Sequence, residues 1–156
     1  MNHEQFMDVA IQMAYDNVNS GHGGPFGAIV VKDGQIIGRG CNEVTSSLDP
    51  TAHAEVQAIR AACKHLNSFQ LEGCVVYTSC EPCPMCIGAI FWARPDAVYY
   101  ACTKQEAADI GFDDQFIYDQ IALPMDRRSI VMKQVYPPDS PLPFRAWSAS
   151  EQKVEY

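Results

Sequence analysis

Positive charge is scarce in this chain. Eleven lysines and arginines stand against nineteen acidic side chains, a formal net charge of -8 over 156 residues. A field of that sign repels polyanions and argues against a nucleic-acid polymer as partner. Long apolar runs are missing as well. The most apolar stretches, Phe26 to Val31 and Cys86 to Ala93, fall far short of the roughly 20 residues a membrane-spanning helix needs, so no membrane association is expected. The opening residues, Met1 to Asp8, lack both the basic segment and the apolar segment of an export signal, which predicts a soluble, cytoplasmic protein. Cysteine is present seven times, an odd number. Without a secretory signal that count disfavours a disulfide framework and favours reduced thiols that bind metal or fill the core. Neither a repeat nor a low-complexity tract interrupts the chain. Its 47% hydrophobic and 19% charged residues suit a single domain spanning 1–156.

Phe6, Val9, Ala10, Met13, Ala14 and Val18 recur at helical spacing from Asn2 to about Asn19, where Gly21-His22-Gly23-Gly24-Pro25 stops them. Phe26 to Val31 and Gln35 to Arg39 flank Asp33-Gly34, a pair that predicts an antiparallel hairpin. Asp49-Pro50-Thr51 predicts the capped start of a second helix running to about His65. Cys74 to Thr78 reads as a strand, Met85 to Ala93 as a helix ended by Arg94-Pro95, and Ala97 to Ala101 as another strand. Strand, helix and strand joined by short links require a parallel crossover, so the class is α/β with a mixed sheet covered by helices. Beyond Thr103 the signal thins. It predicts a helix near Asp114 to Ile121, a strand at Ile130 to Gln134, a proline-rich link from Pro137 to Pro143 and a short helix from about Pro143 to Gln152.

Two segments carry chemistry: His53-Ala54-Glu55 and Pro82-Cys83-Pro84-Met85-Cys86. Together they read H-x-E…P-C-x-x-C, the signature of zinc-dependent nucleobase deaminases. Two thiolates and an imidazole suit Zn²⁺, and three protein ligands leave a fourth tetrahedral position for water, whose pKa such an ion lowers to roughly 7. His53, Cys83 and Cys86 are therefore the expected metal ligands. Cys83 and Cys86, at i and i+3, share one side of a helix start. His53 and Glu55, at i and i+2, share no face of a regular helix, so both reach one site only from an irregular first turn. Glu55 is the expected general acid-base group. Taken singly, such a histidine is a cap, such a C-x-x-C a zinc knuckle or redox pair, and such a glutamate solvated; both segments follow a strand and open a helix at one sheet edge, which favours a catalytic metal. Cys80-x-x-Cys83-x-x-Cys86 also resembles part of an iron-sulfur run, but no further cysteine follows until Cys102, and Cys80 is given no ligand role. Cys41, Cys63, Cys74 and Cys102 are expected to be small buried hydrophobes.

On these segments the chain resembles the cytidine deaminase superfamily and, within it, the bacterial guanine deaminases. The likeness runs from Gly24-Pro25-Phe26-Gly27-Ala28 through Asn42, Thr51 to Glu55, Thr78 to Cys86 and Gly111-Phe112-Asp113-Asp114 to Tyr156. The zinc segments are specific to the superfamily only; Gly111 to Asp114 and the tail carry the finer likeness. The resemblance implies a mixed sheet of about five strands sandwiched between helices, one zinc per active site, and hydrolysis of guanine to xanthine and ammonia without an organic cofactor. Glu55 would relay a proton to N3 and then to the departing amine. Asp114 would face the N1-H and N2 amine donors of guanine and assist proton movement, with Asp113 left to solvent or a helix cap. Phe26 would stack on the base, Asn42 would bond its edge, and Ala54 and Trp92 would line the pocket. Residues 140–156 would be exchanged between the subunits of a homodimer, so that Tyr156 completes the partner's site. Ordinary roles compete: core packing for Phe26 and Trp92, chain turning for Asn42, a frayed end for Tyr156. Two alternatives stay open. One is a deaminase of the same fold acting on cytosine, guanosine or tRNA adenosine, against whose tRNA form Glu151 and Glu155 weigh. The other is a structural-zinc binding module whose fourth position Cys80 closes, which leaves Glu55 without a task.

Overall fold

Asn2 opens the first helix. Its side chain accepts from the Gln5 amide at 2.9 Å, while the Gln5 side chain accepts from the Asn2 amide at 2.9 Å, a reciprocal cap that satisfies two donors the helix cannot. In the computed structural model, which describes residues 1–156, this helix, α1 (His3–Asn19), buries Phe6, Ala10 and Ala14. The hairpin then forms as predicted from β1 (Gly27–Lys32) and β2 (Gln35–Cys41). Asp33 and Gly34 stand at φ of 50° and 75°, the left-handed pair that a tight two-residue turn requires. The sheet has the order β2-β1-β3-β4. β1 lies antiparallel to β2 and to β3 (Cys74–Cys80), and β3 pairs parallel with β4 (Ala97–Cys102) through the crossover helix α3 (Pro84–Ala93).

The α/β class and the mixed sheet therefore stand, with four strands where about five were expected. Alternation along β1 sorts its two faces. Ala28 and Val30 pack with Ala54, Ala58 and Ala62 of α2 (Ala54–Leu66) and with Ala93 of α3, whereas Ile29 and Val31 pack with Phe6 of α1 and with Tyr77. The sheet is thus a middle layer, and its covered strands read as the continuous apolar runs of the sequence.

The second helix starts later than predicted. Asp49 Oδ1 accepts from the Thr51 amide at 2.8 Å and the Thr51 hydroxyl at 2.7 Å. The short side chain that recommends aspartate as a cap here closes a local turn instead, and the residue ahead of α2 is His53. Backbone meets backbone where α2 crosses β2. A Cβ added at Gly40 would stand 2.2 Å from the Ala54 carbonyl oxygen and 2.4 Å from the Ala58 nitrogen. Neither can yield without moving the first turn of α2. Gly40→Ala is expected to cost at least the ~1–3 kcal/mol of an overpacked core, and to lower metal content by displacing His53. An unchanged urea midpoint with full metal content would refute this.

An additional helix, α4 (Lys104–Asp109), follows β4 behind a cap in which Thr103 and Glu106 bond reciprocally. Met1–Asp114 form one compact unit and Gln115–Tyr156 a second. The second unit holds α5 (Gln115–Ala122), a 3₁₀ turn at Met125–Arg127 and α6 (Leu142–Ala149), in agreement with both predicted helices. The strand expected at Ile130 to Gln134 does not form. Its residues have β propensity, but this unit contains no strand for them to pair with. None of residues 115–156 is buried, although Phe116, Ile121, Val131, Phe144 and Trp147 are among them. No helix of the chain is long and apolar enough to cross a membrane.

Candidate active site

Two helix starts meet beside the end of β3. His53 is the cap residue of α2, and Cys83 that of α3, with Pro84 in its first turn. Cap residues are extended and not helical, so His53 and Glu55 reach one place despite a spacing that a regular helix would splay. His53 Nδ1 lies 3.4 Å from Cys83 Sγ and 3.5 Å from Cys86 Sγ. The three ligand atoms all fall within 4.8 Å of one another. Bonds of about 2.0 and 2.3 Å to a tetrahedral zinc would set each N···S edge at roughly 3.6 Å. The donor set therefore fits that ion in type and in size.

The electrostatics of the trio agree. A hydrogen bond from Cys86, helped by His53, holds the Cys83 thiol far below its ordinary value against the opposing effect of burial. His53 is raised in turn, first by its hydrogen bond with Cys83. Cys86 is pushed the other way, because its one proton is held between Cys83 and Glu55 and burial disfavours a second charge. Two sulfurs that sustain one negative charge and resist another form a place where a cation is stabilising.

Glu55 is buried in the first turn of α2, and burial is the leading cause that raises its carboxyl. Oε1 accepts from the Thr78 hydroxyl at 3.0 Å, and Oε2 accepts from Cys86 Sγ at 3.3 Å. A carboxyl whose ionised form is penalised by burial can hold a proton and release it, at the rim of the ligand cluster. Cys80 stays outside the trio. Its sulfur faces the Thr103 carbonyl at 3.7 Å, and burial lifts the thiol to about 11.

Of the remaining candidates, Asn42 is buried, and its Oδ1 accepts from the amides of Gly24 at 3.3 Å and Val44 at 3.2 Å. With that oxygen committed to the backbone, Asn42 offers a ligand only N–H donors. Phe26 is half-buried ahead of β1, and Phe112 stands edge-on to it, centroids 5.0 Å and planes 89° apart. Asp114 is half-buried; burial raises its carboxyl, and the charge of Cys83 adds to the shift, so it lies within electrostatic reach of the ligand cluster. Asp113 is exposed. Ala54 is buried at the start of α2. Trp92 lies on the exposed side of α3, where Cys86 and Ile90 take the buried side. Tyr156 ends the second unit, exposed. Cys74 is buried and Cys41 and Cys63 are half-buried. Cys102 is exposed, contrary to expectation, because β4 is the sheet edge and its last four residues are uncovered.

Sequence reasoning passed over three residues. Asn17 of α1 is buried and donates to the carbonyls of Gly24 at 2.8 Å and Asn42 at 2.9 Å, so one amide pins the glycine-rich loop to the end of β2. Its signal was a polar residue next to the apolar positions 14 and 18. Phe112, inside Gly111 to Asp114, braces Phe26. Thr78 holds Glu55, and its signal was a hydroxyl two residues on from buried Val76.

The family described as the cytidine and deoxycytidylate deaminase zinc-binding region matches residues 1–102, and the chain belongs to that family. Along its whole length it is similar to the guanine deaminase of Bacillus subtilis, 56% identical over 156 residues, which is all of both chains. The X-ray structure of that guanine deaminase matches with a TM-score of 0.98, over 100% of this chain and 99% of the other. A guanine deaminase from Nitrosomonas europaea, 31% identical, matches with a TM-score of 0.69 over 72% of this chain and 65% of its own. The tRNA-specific adenosine deaminase of Aquifex aeolicus is 44% identical over 106 residues, 68% of this chain and 70% of the relative.

Proposed function

We propose that this protein is a zinc-dependent deaminase that hydrolyses guanine to xanthine and ammonia. The observation that carries the reading is Glu55 Oε2, 3.3 Å from Cys86 Sγ, at the edge of a His53, Cys83 and Cys86 cluster of zinc dimensions. The choice of guanine is supported by likeness along the whole chain to a guanine deaminase. Two solved neighbours, 32% and 31% identical, hold 2,6-diaminopurine and 8-azaguanine, purines that share the 2-amino group of guanine.

His53, Cys83 and Cys86 would hold the ion, which when bound supplies the Lewis acidity that makes water a nucleophile near neutral pH. Glu55 takes one proton from the attacking water and delivers it to N3 of the base, where it stays; it then takes the proton of the new C2 hydroxyl and delivers it to the amine, so that the C2–N bond breaks to release ammonia as C2=O forms. Asp114 faces the N1-H and N2 donors, and the Asn42 N–H groups meet an acceptor on the ring edge. Phe26 stacks on the ring with Phe112 behind it, Ala54 borders the base from the start of α2, and Trp92 lines the outer wall. No organic cofactor takes part. A structural-zinc module finds little support, because Cys80 faces a backbone carbonyl and a buried Glu55 would cost stability without return.

The test is ammonia release from guanine, guanosine, cytosine, cytidine and adenine, with the purine product identified. Guanine is expected to be converted fastest, to xanthine. A higher kcat/KM for any of the others would overturn the assignment of substrate.

The single chain domain of residues 1–156 is proposed to act as a cytoplasmic homodimer that exchanges residues 140–156, Tyr156 completing the partner's site. In support, α3 carries Phe91 at 75% and Trp92 at 62% exposure, and the whole segment from Gln115 to Tyr156 buries none of its apolar residues; surfaces of this kind are covered in assemblies. All seven cysteines are free, which suits a reducing compartment. A chain ended after Trp147 is expected to keep its zinc and lose about tenfold or more in kcat, the effect of an incompletely closed site. Unchanged kinetics would remove the tail from the mechanism.

A further inference from the structure

Thr78 stands where an apolar side chain would fit. Alternation along β3 puts it on the same face as Cys74 and Val76, which pack against α2, and it is 1% exposed. Valine has nearly the same shape and brings no hydroxyl to satisfy in a buried place. The hydroxyl present is placed closely: it lies 3.0 Å from Glu55 Oε1 and 3.2 Å from the Cys80 carbonyl oxygen. A β-branched side chain has few rotamers, so the strand itself sets where that hydroxyl points. Glu55, by contrast, is long and is anchored by its backbone at one end only. Its other oxygen, Oε2, meets Cys86 Sγ at 3.3 Å. One carboxyl oxygen is therefore tied to the sheet, and the other faces the ligand cluster.

We propose that Thr78 is a positioning residue for the deamination: its hydroxyl holds Oε1 of Glu55, and so fixes Oε2 as the oxygen presented to the reacting atoms. The inference rests on the reading of Glu55 as the acid-base group. Without the hydroxyl the carboxyl loses its only tether to the sheet; Cys86, which as a metal ligand would have no proton to donate, no longer holds it either, and the amide of its own residue is what remains. It would then turn about its side-chain bonds, and the proton path would lengthen.

The test uses the full, zinc-loaded chain carrying Thr78→Val or Thr78→Ser. The valine variant should match wild type in zinc content by elemental analysis and in KM for guanine, while kcat falls about 10- to 100-fold, as small displacements of an acting group do. The serine variant should recover most of that loss. In a crystal structure of the valine variant the Glu55 carboxyl should be rotated from its place. Wild-type kcat in the valine variant overturns the proposal, as does a serine variant as slow as valine or an undisplaced carboxyl. If the valine variant does not fold, Thr78→Ala against Thr78→Ser gives the same contrast, and equal kcat in that pair overturns it. Wild-type protein that releases no ammonia from guanine overturns the function itself, so the wild-type control tells the two failures apart.

Discussion

Glu55→Gln is expected to leave a folded, zinc-replete protein whose kcat falls about 10²- to 10⁴-fold, the usual contribution of a placed acid-base group. Glutamine keeps the length of the side chain, and its carbonyl can still accept from Thr78. It cannot take up and return a proton. The same substitution should raise the stability of the metal-free protein near neutral pH. Burial raises the Glu55 carboxyl, so the folded state disfavours its ionised form, and that cost is present in full above the folded pKa. As pH falls through the folded value towards the ordinary carboxylate range, the proton returns and the advantage of glutamine disappears. Zinc content, ammonia release and thermal unfolding at two pH values check all three statements. Near-normal turnover in the zinc-replete variant would remove Glu55 from the mechanism.

Loss of the metal is expected to have the largest effect. Chelation of the wild-type protein should lower turnover about 10⁴-fold or more, since the nucleophile itself depends on the ion. The fold should survive, because the two apolar clusters that join α1, α2 and the sheet contain none of the three ligands. Added zinc should restore the chelated wild type but not a Cys86→Ala variant. Circular dichroism beside the activity assay decides the matter: unfolding on chelation would return the ion to a structural role.

Much of the site is legible in the sequence. His53, Glu55, Cys83 and Cys86 can be recognised because ligand chemistry depends on residue type and short spacing, and because each pair opens a helix next to a strand. The glycine-rich loop, the Asp33-Gly34 turn and the crossover are legible for a similar reason, since local backbone preference and apolar period decide them. Errors arise where a local signal has two outlets. Asp49 looks like a cap and closes a turn. Ile130 to Gln134 look like a strand and have no strand beside them. Cys102 looks like a buried thiol and lies on a sheet edge.

The sequence by itself determined the α/β class, the element order from α1 to β4, and the residues that cluster at the candidate site, His53, Cys83 and Cys86 with Glu55 beside them, because residue type, short spacing and local backbone preference carry each. Only the tertiary structure decided which oxygen of Glu55 is tethered, which atoms of Asn42 remain to be offered, and what braces Phe26. Those outcomes depend on Thr78, on the amide of Gly24 and on Phe112, partners distant along the chain that packing brings close. A hydrogen bond or a ring contact extends only a few ångströms, and no pattern along the chain states which distant residues will come within that range.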